Sequence, residues 1–294
     1  MKIILCSILV LWLLGAQISS AVIVDHTDIP DVAALPQIVM NAISSQTWLF
    51  THASVGANMC DGMDTLHSAN PSRFSLVRST VGTLGNDDSL RAAFAPAAGT
   101  AGTIYDCNRG NPGWLNKMFC LSNSVCQSGW HDTAVDLVMD KLCYIDQDAD
   151  AAVYLSLMTY LESLYPLTRF VYTTMPLTTD EDSNNRLRNE YNATVRAYCS
   201  LNAKLLFDIA DMESYDTNGS PITFSYGGND YQKLWDAYSD DGGHLNALGR
   251  EQIALGWYAT AATQVIPEPA WIFLLLVGTY VTQRITCNNP ALRV

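Results

Sequence analysis

At 294 residues, with 49% hydrophobic and 15% charged side chains, the chain has the composition of a globular protein and not of a disordered one. A net charge of −13 argues against nucleic acid as a partner, because phosphate binding needs clustered Lys and Arg. There is room for one large domain or two modest ones, and the acidity fits an exported domain that meets neutral or weakly charged substrates.

Met1 to Ala21 has an early Lys2, an apolar run from Ile3 to Leu14, and the small residues Ser19, Ser20 and Ala21. That is the three-part plan of a secretory signal peptide; the apolar run is shorter than the ~20 residues of a membrane span, which leaves a retained anchor as the alternative. Val22 to Pro36 reads as an extended lead-in and Gln37 to Ser44 as a short helix. Trp48 to Thr51 is a short apolar run suited to a buried strand, and the helix after it is expected from about Val55 to His67.

Asn70 to Ser89 mixes short apolar runs with the turn residues Gly82, Gly85, Asn86 and Asp87. From Ala95 to Trp130 the sequence is rich in Gly, Pro, Asn and Cys and reads as a loop-rich insertion, either at the active-site edge or as a surface excursion. Val135 to Ile145 is expected to be a central strand, with a helix as the alternative. Val153, Leu157, Tyr160, Leu161 and Leu164 mark one face of a helix ended by Pro166. Arg169 to Thr174 follows as a strand. Leu187, Tyr191, Val195 and Tyr198 repeat the helical spacing, and Ala203 to Ile209 is another strand. Thr217 to Asp230 reads as loop or hairpin, and Leu245, Leu248, Leu255 and Ala259 mark a last helix. Strands alternating with helices predict a parallel sheet covered on both faces.

Pro267-Glu268-Pro269, an apolar run from Ala270 to Val281 and then Arg284 resemble the PEP-CTERM sorting signal of bacterial envelope proteins. The resemblance implies recognition by a membrane protease-transferase that removes the tail, and a location in or outside the bacterial envelope with membrane contact at the C-terminus. The basic cluster is thin, and a plain C-terminal membrane helix is the alternative. The expected organisation is thus a signal peptide over 1–21, one domain over 22–266 with a disulfide-rich insertion around 95–130, and a sorting signal over 267–294. Between the two signals lie Cys60, Cys107, Cys120, Cys126, Cys143 and Cys199, which in an exported chain read as a disulfide framework of undetermined pairing. A zinc site is disfavoured by the absence of C-x-x-C pairs and of histidines at ligand spacing, so neither a metal nor an organic cofactor is expected.

Ser54 stands where the first convincing strand turns into a helix. Such a position exposes a side chain at the carboxyl edge of an open α/β sheet, beside N–H groups that favour negative charge. Far along the chain, Asp241-Gly242-Gly243-His244 places an Asp three residues before a His on a flexible loop. The Asp can bend back to accept from Nδ1–H, leaving Nε2 to take a proton from a serine hydroxyl, which is a poor nucleophile without such a neighbour. Each residue also has an ordinary alternative: Ser54 as a helix cap, His244 as a surface histidine. His52 could line the pocket or bond to backbone, while His26 and His67 carry no constellation and His131 reads as structural. Asp146 and Asp211 read as cleft-lining residues or helix caps. Trp114, Trp130, Tyr144 and Trp235 could stack on sugar rings, with packing the default.

Ser54 after the first strand together with Asp241-x-x-His244 before the last helix resembles the SGNH/GDSL hydrolases, over about three quarters of the chain, from Thr47 to Thr263. The resemblance implies a three-layer α/β sandwich with a mostly parallel, flavodoxin-like central sheet. It also implies hydrolysis of carboxylic esters, small or on polysaccharides, through an acyl-enzyme, with Ser54 as nucleophile, His244 as general base and Asp241 as its orienting acid. This chain departs from the family in reading His52-Ala53-Ser54 where Gly-Asp-Ser is usual, and Leu245 where a proline usually follows the histidine. The family's oxyanion Asn, in a G-x-N-D block, is missing at Cys143-Tyr144-Ile145-Asp146. Gly227-Gly228-Asn229-Asp230 spells the block, but at the wrong place in the fold. Gly110 and Asn111 are the substitute oxyanion candidates. The competing reading is an inactive envelope protein of the same fold that binds glycans or matrix.

Overall fold

The computed structural model describes residues 21–83, 99–126 and 135–266. The two terminal segments read as sorting signals, together with Trp130 and His131, lie outside these residues. Among the described residues no helix is long and apolar enough to cross a membrane.

Seven strands form one sheet: β1 (Val22–Val24), β2 (Trp48–His52), β3 (Val77–Thr83), β4 (Thr103–Asn108), β5 (Leu137–Asp140), β6 (Arg169–Thr173) and β7 (Leu205–Phe207). Their order is β1-β7-β6-β5-β2-β4-β3 and every pairing is parallel. Parallel neighbours need crossovers, and helices supply them. The helices are α1 (Gln37–Ile43), α2 (Val55–Ala69), α3 (Trp114–Val125), α4 (Ala151–Leu164), α5 (Ser183–Leu201), the short α6 (Ile209–Glu213) and α7 (Ala247–Thr263). The result is the expected three-layer α/β sandwich.

The strand side chains alternate between two cores. Trp48 and Phe50 of β2, Leu137 and Met139 of β5 and Phe207 of β7 join residues of α1, α2 and α7 in one cluster. Leu49, Val138, Phe170, Tyr172 and Leu206 point to the other face and join residues of α3, α4 and α5. Because both faces are covered, β2 is apolar from Trp48 through Phe50 instead of alternating with polar residues. Helices α2 and α7 cross closely at Gly62, where an added Cβ would stand 2.3 Å from the Arg250 carbonyl oxygen.

Several expectations change. The stretch around 95–130 supplies β4, paired to both β2 and β3, and then α3, so its described part is built into the sheet and its covering layer. Its six-residue strand T-I-Y-D-C-N was hidden by the turn formers that flank it. No disulfide joins the six described cysteines, and Cys107 on β4 faces Cys120 on α3. Helix α4 buries Tyr154, Leu155, Met158 and Leu161, whereas Val153, Tyr160 and Leu164 are exposed. Tyr154 is amphipathic, and its hydroxyl accepts the Thr173 N–H at 3.0 Å, which turns that side of the helix inward.

Strand β5 stops at Asp140, short of Ile145, because Asp146 closes a turn by accepting the Cys143 N–H at 2.7 Å. Strand β7 likewise ends at Phe207, where Asp208 caps α6. Thr217 to Asp230 contributes the hairpin of β8 (Thr223–Tyr226) and β9 (Asn229–Gln232), with Gly227 and Gly228 both at positive φ as a tight hairpin turn requires.

The chain passes from β4 on one side of β2 to β5 on the other. The carboxyl end of β2 is therefore a topological switch point, the place where open α/β sheets leave a crevice for a ligand.

Candidate active site

Ser54 follows β2 after a single residue and opens α2. Its backbone lies at φ 55° and ψ −117°, a left-handed conformation that residues with a Cβ rarely hold. The side chain does not cap the helix. Oγ instead lies 2.7 Å from Nε2 of His244, so the ordinary alternative for Ser54 is replaced by a contact across 190 residues of chain. The sharp turn needs Gly56, where any Cβ would stand 2.4 Å from Cβ of His52. At the start of α2 the Gly56 and Ala57 N–H groups are already bonded, to the Ala53 and Ser54 carbonyls at 3.0 and 2.7 Å.

His244 is held by Asp241 within one turn. Oδ1 of Asp241 accepts the backbone N–H groups of His244 at 2.7 Å and Gly243 at 3.0 Å, while Oδ2 lies 2.8 Å from Nδ1 of His244. With Nδ1–H donating to the carboxylate, Nε2 presents its lone pair to the serine hydroxyl. The two backbone N–H bonds, followed by the imidazole, hold the Asp241 carboxyl well below the usual carboxylate range. Asp241 is thus ionised at neutral pH. The pair is open to solvent, with side-chain exposures of 58% for Asp241 and 41% for His244.

The turn is fastened from three directions. Gly242, at φ 86°, has its carbonyl bonded by the Thr179 N–H at 2.9 Å. Ser239 donates to the His244 carbonyl at 2.7 Å. Buried Asn58, on the first turns of α2, accepts the Leu245 N–H at 3.0 Å and so ties the histidine loop to the serine helix. No local pattern in the sequence reports this role of Asn58, whose partner lies 187 positions away.

The loops beside Ser54 come from the neighbouring strands. From β4, Gly110 at φ 67° and Asn111 are half-buried in the connection to α3, and the Gly110 N–H donates to Oδ1 of Asn108 at 3.1 Å. From β5, Tyr144 reaches over the serine–histidine contact, its ring edge-on to the imidazole at 5.5 Å. Beneath them lie buried charges: Arg109 on Asp140 at 3.1 Å, and Lys117 on Asp146 at 2.5 Å. Asp146 therefore neither lines a cleft nor caps a helix. The Gly227–Asp230 block forms the β8–β9 turn, away from any strand end of the main sheet.

The remaining histidines have other partners. His52 lies fully inside the fold, its Nε2 bonded to Asp106 and 3.8 Å from the Cys60 thiol, so it neither lines the site nor bonds backbone. Burial lowers its pKa against the pull of Asp106. His26 does belong to a constellation: it bonds Asp211 and stacks on Tyr215 with centroids 3.4 Å apart. His67 bonds the Phe74 carbonyl at 2.8 Å. Two groups bring metal-ligating atoms together among the described residues, His52 with Cys60 and Asp106, and His26 with Asp25 and Asp211. In each the imidazole is bonded directly to a carboxylate. Trp114 packs partly buried against the second core, and Trp235 lies edge-on to Tyr238 at 4.8 Å.

No family model matches the sequence, and a search of curated proteins finds no match. Among solved structures, the chain is similar to a GDSL-like lipase from Bacteroides thetaiotaomicron VPI-5482, at 12% identity and a TM-score of 0.46, covering 79% of this chain and 94% of that one. It is also similar to a catalytic mutant of an acetylxylan esterase from Geobacillus stearothermophilus, at 11% identity and a TM-score of 0.42, covering 74% of this chain and 94% of that one. At this distance function has to be read from the side chains.

Proposed function

We propose that the protein is a serine hydrolase of the SGNH/GDSL type that cleaves carboxylic esters. One observation carries the reading: Ser54 Oγ, His244 Nε2, His244 Nδ1 and Asp241 Oδ2 form a continuous line of contacts at 2.7 and 2.8 Å. The strained turn at Ser54 supports it, because backbone strain of this kind is retained where the surroundings over-determine it and clusters at active sites.

In this reading Oγ of Ser54 attacks the ester carbonyl carbon while its proton passes to Nε2. The resulting imidazolium is stabilised by the ionised Asp241, which stays a carboxylate throughout. Collapse of the tetrahedral intermediate breaks the carbon–oxygen bond to the alcohol, which leaves with the proton from Nε2. Water, deprotonated by the same nitrogen, then attacks the acyl-enzyme, and the second collapse frees the acid and returns the proton to Ser54. Base catalysis of this kind contributes roughly 10²–10⁴-fold. An acyl group on a neutral polysaccharide is the substrate class we favour, on the acidity of the chain and the openness of the site. We further read the protein as exported and handled at a membrane through its terminal segments.

The test is turnover of p-nitrophenyl acetate by the purified protein beside Ser54→Ala and His244→Ala, with a fluorophosphonate probe mapped by mass spectrometry. Ser54 should carry the label, and each substitution should cost on the order of 10³-fold or more. Equal rates in all three proteins, with no label on Ser54, would favour the non-catalytic glycan-binding reading.

A further inference from the structure

The strand end where an amide donor was expected carries Tyr144, and the side chain is aimed at the reacting atoms. Strand β5 pairs with β2, so its exit loop necessarily runs beside Ser54. The Cys143 thiol bonds the Ala53 carbonyl at 3.5 Å, which joins the residue before Tyr144 to the residue before Ser54. The Tyr144 hydroxyl faces the Ser54 side chain, close enough to act on it as a hydrogen-bond partner. The ring stands against the histidine turn, where a Cβ at Gly243 would lie 2.9 Å from two of its carbons and 3.2 Å from its oxygen. On the other side Arg188 donates from Nε to the Tyr144 carbonyl at 2.6 Å, with its guanidinium 6.0 Å from the ring centroid. Arg188 is itself buried and bonded to Thr178 and Asn185. A side chain fixed this firmly has little freedom left to lose in the transition state.

We propose that Tyr144 is a catalytic oxyanion donor of this site, its hydroxyl taking the place of a side-chain amide. The inference rests on the reading of Ser54 as the nucleophile. With Oγ–H directed to Nε2 at 2.7 Å, an Oγ lone pair is what remains to accept the phenolic O–H. On attack that lone pair becomes the new carbon–oxygen bond, and the carbonyl π electrons move onto the substrate oxygen one atom further on. The phenolic O–H turns from Oγ to this oxyanion, with no proton transferred, and turns back when the intermediate collapses. A donor must stay protonated, and burial, helped by the Asp241 charge, raises the Tyr144 pKa against the opposing pull of the Ser54 hydroxyl and Arg188. That direction suits a neutral phenol and is opposite to what a phenolate base needs.

Tyr144→Phe in the full chain removes one oxygen and keeps the packing, so the ring contacts to His244 and Arg188 persist. We expect kcat on p-nitrophenyl acetate to fall about 10²-fold with KM little changed, the loss usual for one oxyanion donor. The inhibition constant of phenylboronic acid, which forms a tetrahedral anion on the serine oxygen, should weaken by a comparable factor, while the melting temperature stays within a few degrees. Wild-type kcat in Tyr144→Phe, a loss confined to KM, or unchanged boronate affinity overturns the inference and leaves the hydrolase reading standing. A wild type no faster than Ser54→Ala overturns both.

Discussion

The strain at Ser54 can be measured apart from its chemistry by comparing two inactive variants. At φ 55° and ψ −117° the backbone is near the mirror image of the extended polyproline conformation, open to glycine and costly for any residue with a Cβ. Ser54→Ala removes the hydroxyl and keeps the Cβ, and with it the strain. Ser54→Gly removes both. The lost contact to His244 is common to the two, so it cancels in their difference. Strain of this type is worth about 1–3 kcal/mol, and glycine gives back about 0.5–1 kcal/mol through the freedom of its unfolded chain. The central values leave about 1 kcal/mol in favour of glycine. For a domain of this size that corresponds to a melting temperature roughly 2–4 °C higher for Ser54→Gly than for Ser54→Ala. Calorimetry checks the shift, and urea titration with equal slopes checks that the denatured states are alike. An alanine variant as stable as the glycine variant would mean that the turn is relaxed and that no strain is stored at the nucleophile.

Glu213 is fully buried, and burial pushes its carboxyl up to about 8 despite the Leu177 N–H on Oε2. Between its ordinary value of 4.5 and 8 the unfolded chain has lost this proton and the folded one keeps it, so this group's contribution falls as pH rises through that window, by roughly 5 kcal/mol. Unfolding curves from pH 5 to 8 should therefore decline less steeply for Glu213→Gln than for wild type, and parallel curves refute the assignment. Asn58→Ala leaves the Leu245 N–H without its acceptor and frees the histidine turn, for an expected loss of about 1–3 kcal/mol and a fall in kcat larger than any change in KM. Of the six described cysteines, Cys107 and Cys120 are the pair set to close on oxidation; non-reducing peptide mapping should find that link, and a cross-link at Cys199 instead would contradict it.

What could be read from the sequence depended on how far apart the interacting residues lie. The Asp241–His244 bond was legible because one turn contains both residues, and the buried apolar run of β2 announced its strand. The helix after it was legible from the same turn. Strand β4 was not, because Gly102, Gly110, Pro112 and Gly113 around it signal turns more strongly than Ile104 and Tyr105 signal a strand. The inward face of α4 was misread because apolar side chains surround the helix, so Val153, Tyr160 and Leu164 fit a helical stripe as well as the buried Tyr154, Leu155 and Met158 do. Tyr144 was noticed as an aromatic and nothing more. Its approach to Ser54 follows from the pairing of β5 with β2, which no local pattern encodes. The same is true of His26, whose carboxylate partner Asp211 lies 185 residues away.

The loop that carries Tyr144 is set by an ion pair inside the fold, and this accounts for how an exposed site keeps its geometry. Lys117 of α3 reaches Oδ2 of Asp146 at 2.5 Å, and the same oxygen accepts the Cys143 N–H at 2.7 Å. Both side chains are buried, at 0% and 3% exposure, so the attraction between them is offset by the cost of taking two charges out of water. The pair is therefore a poor source of net stability and an effective source of register, since it joins α3 to the turn just past β5. Removing either charge alone leaves the other buried without a partner, which costs about 3–5 kcal/mol. Lys117→Met and Asp146→Asn should each lose stability on that scale, while the double variant should lose clearly less than their sum. The turn should nevertheless be looser in the double variant, because methionine cannot reach the amide as lysine reaches the carboxylate. Stability near wild type with reduced kcat in that protein is the expected signature. Strict additivity of the two losses would show that the charges do not act as a pair, and unchanged kcat would show that Tyr144 takes its position from Arg188 alone.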